Sequence, residues 1–171
     1  MIKLIGAAVI LISSALSSVR AVKRLGDRVR SMQSICSSLE IMKSEIGSRL
    51  TPIPEIFELL AEQADQPAQA LYKNASKQMD KLGEFSLPAI WKNAVESTPE
   101  LRLTDTEKLA LCEVGMCLGR YDPGDQQIML DRAAGRFESY RKKAEEDRQR
   151  NFKTQAYLGV ISGVFIVIVL L

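Results

Sequence analysis

Hydrophobic positions along the chain fall into two arrangements: uncharged runs at both ends, and stripes spaced by three and four residues between them. The first run, Leu4 to Val19, reads LIGAAVILISSALSSV, 16 residues without a charge. At about 1.5 Å per residue that is roughly 24 Å of helix, a little short of the roughly 30 Å of a bilayer core. The last run, Tyr157 to Leu171, reads YLGVISGVFIVIVLL and is equally bare. A helix beginning near Phe152, with Tyr157 at the interface, is long enough to cross. The pattern predicts transmembrane helices over 1–19 and 151–171 and a helical domain over 20–150.

Between the runs no segment alternates with period two for long enough to form a strand. The expected fold is all-α, a bundle of about six helices whose first and last members continue into the membrane helices. Val29, Met32, Ile35, Leu39, Met42, Ile46 and Leu50 make one helical stripe, and Thr51-Pro52-Ile53-Pro54 stops it, because proline removes an amide donor and turns the preceding residue from helical geometry. A second helix, about 54–65, puts Ile56, Leu59, Leu60 and Gln63 along one side. The third opens at Pro67 and runs through Leu71, Tyr72, Ala75, Met79 and Leu82, with Gly83 as its cap. Ser86 caps a fourth, containing Ile90, Trp91, Ala94 and Val95.

The fifth helix has the clearest local signature. Thr104 and Glu107 stand at capping-box spacing, each side chain placed to accept the other's backbone amide. The run LALCEVGMCLG that follows is apolar nearly all round, which predicts the central helix of the bundle. Gly115 and Gly119 are spaced to let a neighbour pack close. Asp122 is the N-cap and Pro123 the first position of a last helix of about 48 residues, roughly 72 Å long. Gly159 and Gly163 repeat the small-residue spacing in its terminal run, where they would admit a second membrane helix.

Charge adds a direction. Of 44 charged residues, only Lys3 lies in 1–19 and none in 157–171. The first run is followed at once by Arg20, Lys23, Arg24, Arg28 and Arg30, and the second is preceded by Arg148, Arg150 and Lys153. Cytoplasmic flanks carry the excess of Lys and Arg, so both basic flanks put 20–150 in the cytoplasm. A competing reading takes Lys3 as the basic start of a signal peptide cleaved near Ser13-x-Ala15, leaving an exported helical binding module. The mass of the mature chain separates the two.

Little catalytic chemistry is available. The sequence has no histidine, which excludes Ser-His-Asp and Cys-His nucleophiles, HExxH zinc sites and imidazole proton shuttles. Cys36, Cys112 and Cys117 form no CxxC pair, so neither a zinc site nor a disulfide framework is indicated, and buried reduced thiols are expected. No GxxxxGK[ST] or GxGxxG loop is present for nucleotide phosphates. A net charge of +2 is too even for a nucleic-acid partner. Pairs such as Glu145 and Glu146 read as a solvated face, and a carboxylate hydrolase would need a buried Asp or Glu cluster. A chain that is not an enzyme, with no cofactor and no metal, is the expectation.

Several features taken in order resemble the stage III sporulation protein AB family of endospore-forming bacteria. They are the first hydrophobic helix with its basic flank; Glu45-Ile46-Gly47 through Leu50-Thr51-Pro52-Ile53-Pro54-Glu55; the single Trp91; Leu118-Gly119-x-x-Asp122 followed by Gln126 or Gln127; and the closing helix from Leu158-Gly159. The turn departs from the family pattern at Tyr121, where a small or hydroxyl-bearing residue is expected. The resemblance implies a protein of the mother cell's outer forespore membrane, in the channel complex between mother cell and forespore. It also implies a cytoplasmic domain similar to that of the type II secretion F platform protein. By that analogy the partners are a secretion-type ATPase of the same complex and other channel membrane proteins; a homo-oligomer is a separate expectation. Analogy of fold is an associational warrant for function.

Overall fold

The computed structural model describes residues 2–119 and 122–170, and side chains for 23–119 and 122–151. It contains six α-helices: α1 (Ile2–Ser44), α2 (Ile53–Gln63), α3 (Ala68–Ser76), α4 (Leu87–Glu96), α5 (Asp105–Cys117) and α6 (Pro123–Leu170). A π-helical turn, Glu45–Arg49, ends α1, and short 3-10 turns stand at Met79–Lys81 and Pro99–Leu101. Among the described residues there is no strand, and no helix is long and apolar enough to cross a membrane. The candidate spans 1–19 and 151–171 fall, but for Asn151, outside the described side chains. The chain divides into two compact units. One is Arg28–Arg141; the other is Met1–Asp27 with Lys142–Leu171.

The core of the first unit begins with the α1 stripe, Met32, Ile35, Leu39, Met42 and Ile46, all buried. Leu50 leaves it and is 67% exposed, because the π turn adds a residue to the last turn and Leu50 takes a left-handed conformation (φ 54°). Against the stripe stand three aromatic rings, one from each following helix. Phe57 of α2 stacks on Trp91 of α4 at 5.3 Å, and Tyr72 of α3 lies 5.7 Å from Trp91 and 5.9 Å from Phe57. Each fully buried ring or aliphatic side chain contributes about 1.5–3 kcal/mol, so this cluster is a main reason why α2, α3 and α4 pack as one layer.

A second line on α1 is polar and buried: Ser31, Ser34 and Ser38. Ser34 Oγ accepts the Ala68 amide at 3.3 Å, and Ser38 Oγ accepts the Tyr72 hydroxyl at 3.0 Å. Small side chains let α3 approach, and their hydroxyls satisfy the first amide of α3 and the phenol that burial would otherwise leave unpaired. Burial pushes the Tyr72 hydroxyl well above its ordinary titration range, with the Ser38 bond opposing it weakly.

Several boundaries differ from the sequence expectation. In α2 the buried residues are Ile56, Phe57, Leu60 and Ala61, while Leu59 is only partly covered. Helix α3 stops at Ser76, before Met79, so Leu82 becomes an exposed loop residue and Gly83 (φ 110°) belongs to the following turn. Position 86 is the N-cap of α4, but its side chain makes no capping bond. Helix α5 is not central: one side packs on the core and the other is open, with Leu109 66% and Met116 53% exposed.

Candidate interaction surface

Helix α5 starts at the reciprocal Thr104–Glu107 pair. Thr104 Oγ1 accepts the Glu107 amide at 3.4 Å, and Glu107 Oε2 accepts the Thr104 amide at 2.8 Å. The Glu107 carboxylate is 3% exposed and its second oxygen takes a hydrogen bond from Arg28 Nη2 on α1. A buried carboxylate is costly unless paired. Arg28 provides that pairing, so it is engaged in the bundle, whereas Lys23, Arg24 and Arg30 are exposed.

The inner face of α5 is Ala110, Leu111, Val114 and Gly115. Trp91 Nε1 donates to the Leu111 carbonyl at 2.7 Å. A Cβ at position 115 would stand 2.3 Å from Trp91 Cδ1, so the indole lies where only a glycine leaves room. At the helix end Leu118 is buried, Gly119 has φ 71°, and its amide donates to Gln126 Oε1 at 3.2 Å. Asp122 Oδ2 accepts the Gly124 amide at 3.1 Å, and Pro123 is the first residue of α6. Further along α6, the Gln127 side chain covers Gly47, where a Cβ would be 1.2 Å from Nε2, and donates to the Lys43 carbonyl at 3.4 Å. The Glu45 carboxylate is bound by Arg49 at 2.8 Å and Thr51 at 2.9 Å.

The outer face of α5 carries Leu109, Cys112 and Met116, spaced by three and four residues. With Ala89 and Lys92 of α4 they line an open groove of about 800 Å³. Its rim is charged. Lys92 stands 3.8 Å from Glu96, and Glu113 binds Arg136 of α6 at 2.7 Å, both pairs largely in solvent. Lys108 has no ion-pair partner among the described residues. A contiguous apolar patch with a polar rim is a common form of protein-binding surface. Smaller apolar exposures occur at Leu82 and Phe85 and at Ile128 and Met129.

The three thiols are free, as the sequence implied, but half-covered instead of buried. Cys36 Sγ lies 3.9 Å from the Ala134 carbonyl and Cys117 Sγ 2.9 Å from Met129 Sδ, both of α6, while Cys112 lines the open groove. Burial still pushes Cys36 up to about 11, with nearby Glu138 adding to the effect, and raises Cys112 and Cys117 in the same direction. The described residues hold no group of three or more potential metal ligands.

In the second unit, Arg148 stands 3.8 Å from Glu145 and Arg150 3.3 Å from Asp147. The remaining residues singled out from sequence, Arg20, Lys153, Gly159 and Gly163, lie outside the described side chains. The outer triad Leu109, Cys112 and Met116 was missed because an all-round apolar helix reads as central. Its signal was available in the spacing, since Ala110, Leu111 and Val114 already complete one face.

The family profile for stage III sporulation protein AB matches residues 3–171. The chain belongs to that family. It is 27% identical over 172 residues, the full length of both chains, to stage III sporulation protein AB of Bacillus subtilis (strain 168). A solved structure of a stage III sporulation protein AB superposes with a TM-score of 0.66 at 26% identity, covering 72% of this chain and 98% of that one. Two of the segments that carry the resemblance meet in this fold. Gly47 of the Glu45–Glu55 segment sits under Gln127, and Gln126 closes the turn at Gly119.

Proposed function

We propose that this member of the stage III sporulation protein AB family is a non-enzymatic membrane component of a sporulation channel between mother cell and forespore. It sits in the outer forespore membrane, and its helical bundle faces the mother-cell cytoplasm as a platform for a secretion-type ATPase. The observation that carries the reading is the layout of α1 and α6. Each is one unbroken helix, Ile2–Ser44 and Pro123–Leu170, that joins a stretch supplying the core to a charge-free run at a chain end. That layout suits a bundle tethered to a bilayer at both ends. The ATPase rests on the likeness to the type II secretion platform; exposed cations such as Lys142 and Lys143 offer it an electrostatic contact.

Topology reporters at the N-terminus, within the bundle and at the C-terminus test the placement. A bundle that reports outside the cytoplasm overturns it. Co-purification tests the partner: the full-length chain should retain the ATPase of its complex, and charge reversal at Arg24 and Arg30 or at Arg141–Lys143 should weaken retention. Undiminished ATPase recruitment by a chain deleted for the bundle defeats the platform role.

A further inference from the structure

We infer that the outer face of α5 is a seam between two copies of this chain, with the two α5 helices side by side and parallel.

The first ground is the distribution of apolar residues on α5. Residues 110, 111, 114 and 115 are spent on the bundle core, yet Leu109, Cys112 and Met116 continue an apolar line in solvent. In heptad terms Leu109 and Met116 are a positions and Cys112 is the d position between them, while the core-facing residues 110, 111, 114 and 115 fall at b, c, f and g. A line of a and d residues is the seam by which two helices meet. The groove beside it, open toward α4, leaves room for a second helix.

The second ground is charge. In this register Lys108 is a g residue and Glu113 the e residue five positions on. In a parallel pair, g of one helix lies beside e of the other, so Lys108 of each copy meets Glu113 of the other on both sides of the seam. An antiparallel pair sets g against g and e against e, which gives neither residue an opposite charge. Lys108 has no ion-pair partner among the described residues. Glu113 has Arg136, but that pair is about half exposed on both sides and contributes little; a carboxylate can also accept from two cations. Of the two residues that complement a second copy, Lys108 is therefore the one whose charge the described bundle leaves unmatched. The seam is short, so the association is concentration-dependent, and it requires neither the ATPase nor a particular membrane.

The d position supplies the test, because in a parallel pair each d residue faces its own equivalent. Two Cys112 thiols then come within the roughly 4.4–6.8 Å Cα separation that a disulfide spans. Full-length protein purified in detergent and oxidised with copper phenanthroline at high protein concentration should give a covalent dimer. That dimer should vanish in Cys112→Ser and persist in Cys36→Ser and Cys117→Ser. Lys108→Glu should lower the yield roughly fivefold by turning two attractions into repulsions, and Lys108→Glu combined with Glu113→Lys should restore it. The restoring double variant separates a broken seam from a misfolded bundle. No dimer, a dimer formed through Cys36 or Cys117, or a charge exchange that stays as low as Lys108→Glu alone overturns the inference. So does the same oxidation in crude membranes if it joins Cys112 to a protein of different mass and not to itself.

Discussion

Two glycines on different helices should respond in opposite ways to the same added methyl group. Gly115 lies under Trp91: a Cβ there would be 2.3, 2.6 and 2.8 Å from three indole-side atoms. The indole cannot step aside, being fully buried, stacked on Phe57 and hydrogen-bonded to Leu111. Overpacking costs about 1–3 kcal/mol, and a displaced indole that loses its hydrogen bond about 1–3 kcal/mol more. Removing a helix-interior glycine returns about 1 kcal/mol. Gly115→Ala should thus be destabilised by about 1–5 kcal/mol. Gly135 is exposed on α6 with nothing within 4 Å of a built Cβ, so Gly135→Ala receives only the helix term and gains about 0.5–1 kcal/mol. Urea unfolding followed by the fluorescence of the single tryptophan reads both and reports on the indole itself. If Gly115→Ala unfolds at the same or higher urea than Gly135→Ala, the packing argument for Trp91 is wrong.

Three further outcomes test separate contacts. Glu107→Ala removes both the cap and the Arg28 pair and should cost about 2–4 kcal/mol, and Arg28→Ala, which keeps the cap but leaves the buried Glu107 carboxylate without its counter-charge, should cost a comparable amount; an Arg28→Ala variant as stable as the parent in thermal unfolding would refute the pairing. Gly47→Ala should be strongly destabilising because Gln127 occupies its space, and adding Gln127→Ala should recover most of the loss; additive effects in that double-mutant cycle would show that the two residues do not meet. Burial raises the Cys36 thiol from 9.0 to about 11, so the folded state favours the neutral form. Its contribution is complete below about pH 9 and is lost as the pH rises through about 11. Cys36→Ala should make denaturation midpoints fall less steeply over that interval, and an unchanged slope would refute the assignment.

The all-helical fold was legible because period-3.6 patterning is local, as the α1 stripe from Met32 to Ile46 shows. Leu50 escaped because a π turn is a one-residue change in winding that no hydrophobic period announces. In α2, Phe57 and Leu59 flank the same face, and spacing alone cannot say which is inward; the aromatic partners Tyr72 and Trp91, 15 and 34 residues away along the chain from Phe57, decide it. Capping at Thr104 and Glu107 could be read because it spans four residues. The second bond of Glu107 could not, since Arg28 is 79 residues distant and reads equally well as one more member of a basic flank. Helix α5 was misplaced for a related reason: an apolar circumference suggests cover on every side, and the spacing of Ala110, Leu111 and Val114 alone does not say that the Leu109 and Met116 side stays open.

Long-range polar contacts of α1 lie at the two ends of its core segment. Within the Arg28–Arg141 unit, α1 is held near its start by the Arg28–Glu107 pair and at its end by Gln127 on Gly47 and by Lys43 with Asp131 at 2.7 Å. The Asp131 hydrogen bond is the chief reason why the Lys43 ammonium titrates above its ordinary value. The two end contacts on α1 come from α6, the other helix that continues beyond the unit. A helix fixed at one point can pivot, but one fixed at both ends of its core segment, partly by residues without exposed freedom to rearrange, keeps its register with its neighbour. The steric fit at Gly47 matters most here. Ion pairs at the surface yield readily, whereas Gln127 cannot slide along α1 without meeting a Cβ on one side or the other of the glycine. The Gly47–Gln127 contact thus provides a physical reason for the joint appearance of the Glu45-Ile46-Gly47 segment and the glutamine-containing start of α6 in this chain: together they set the register of α6 against the end of α1 within the Arg28–Arg141 unit.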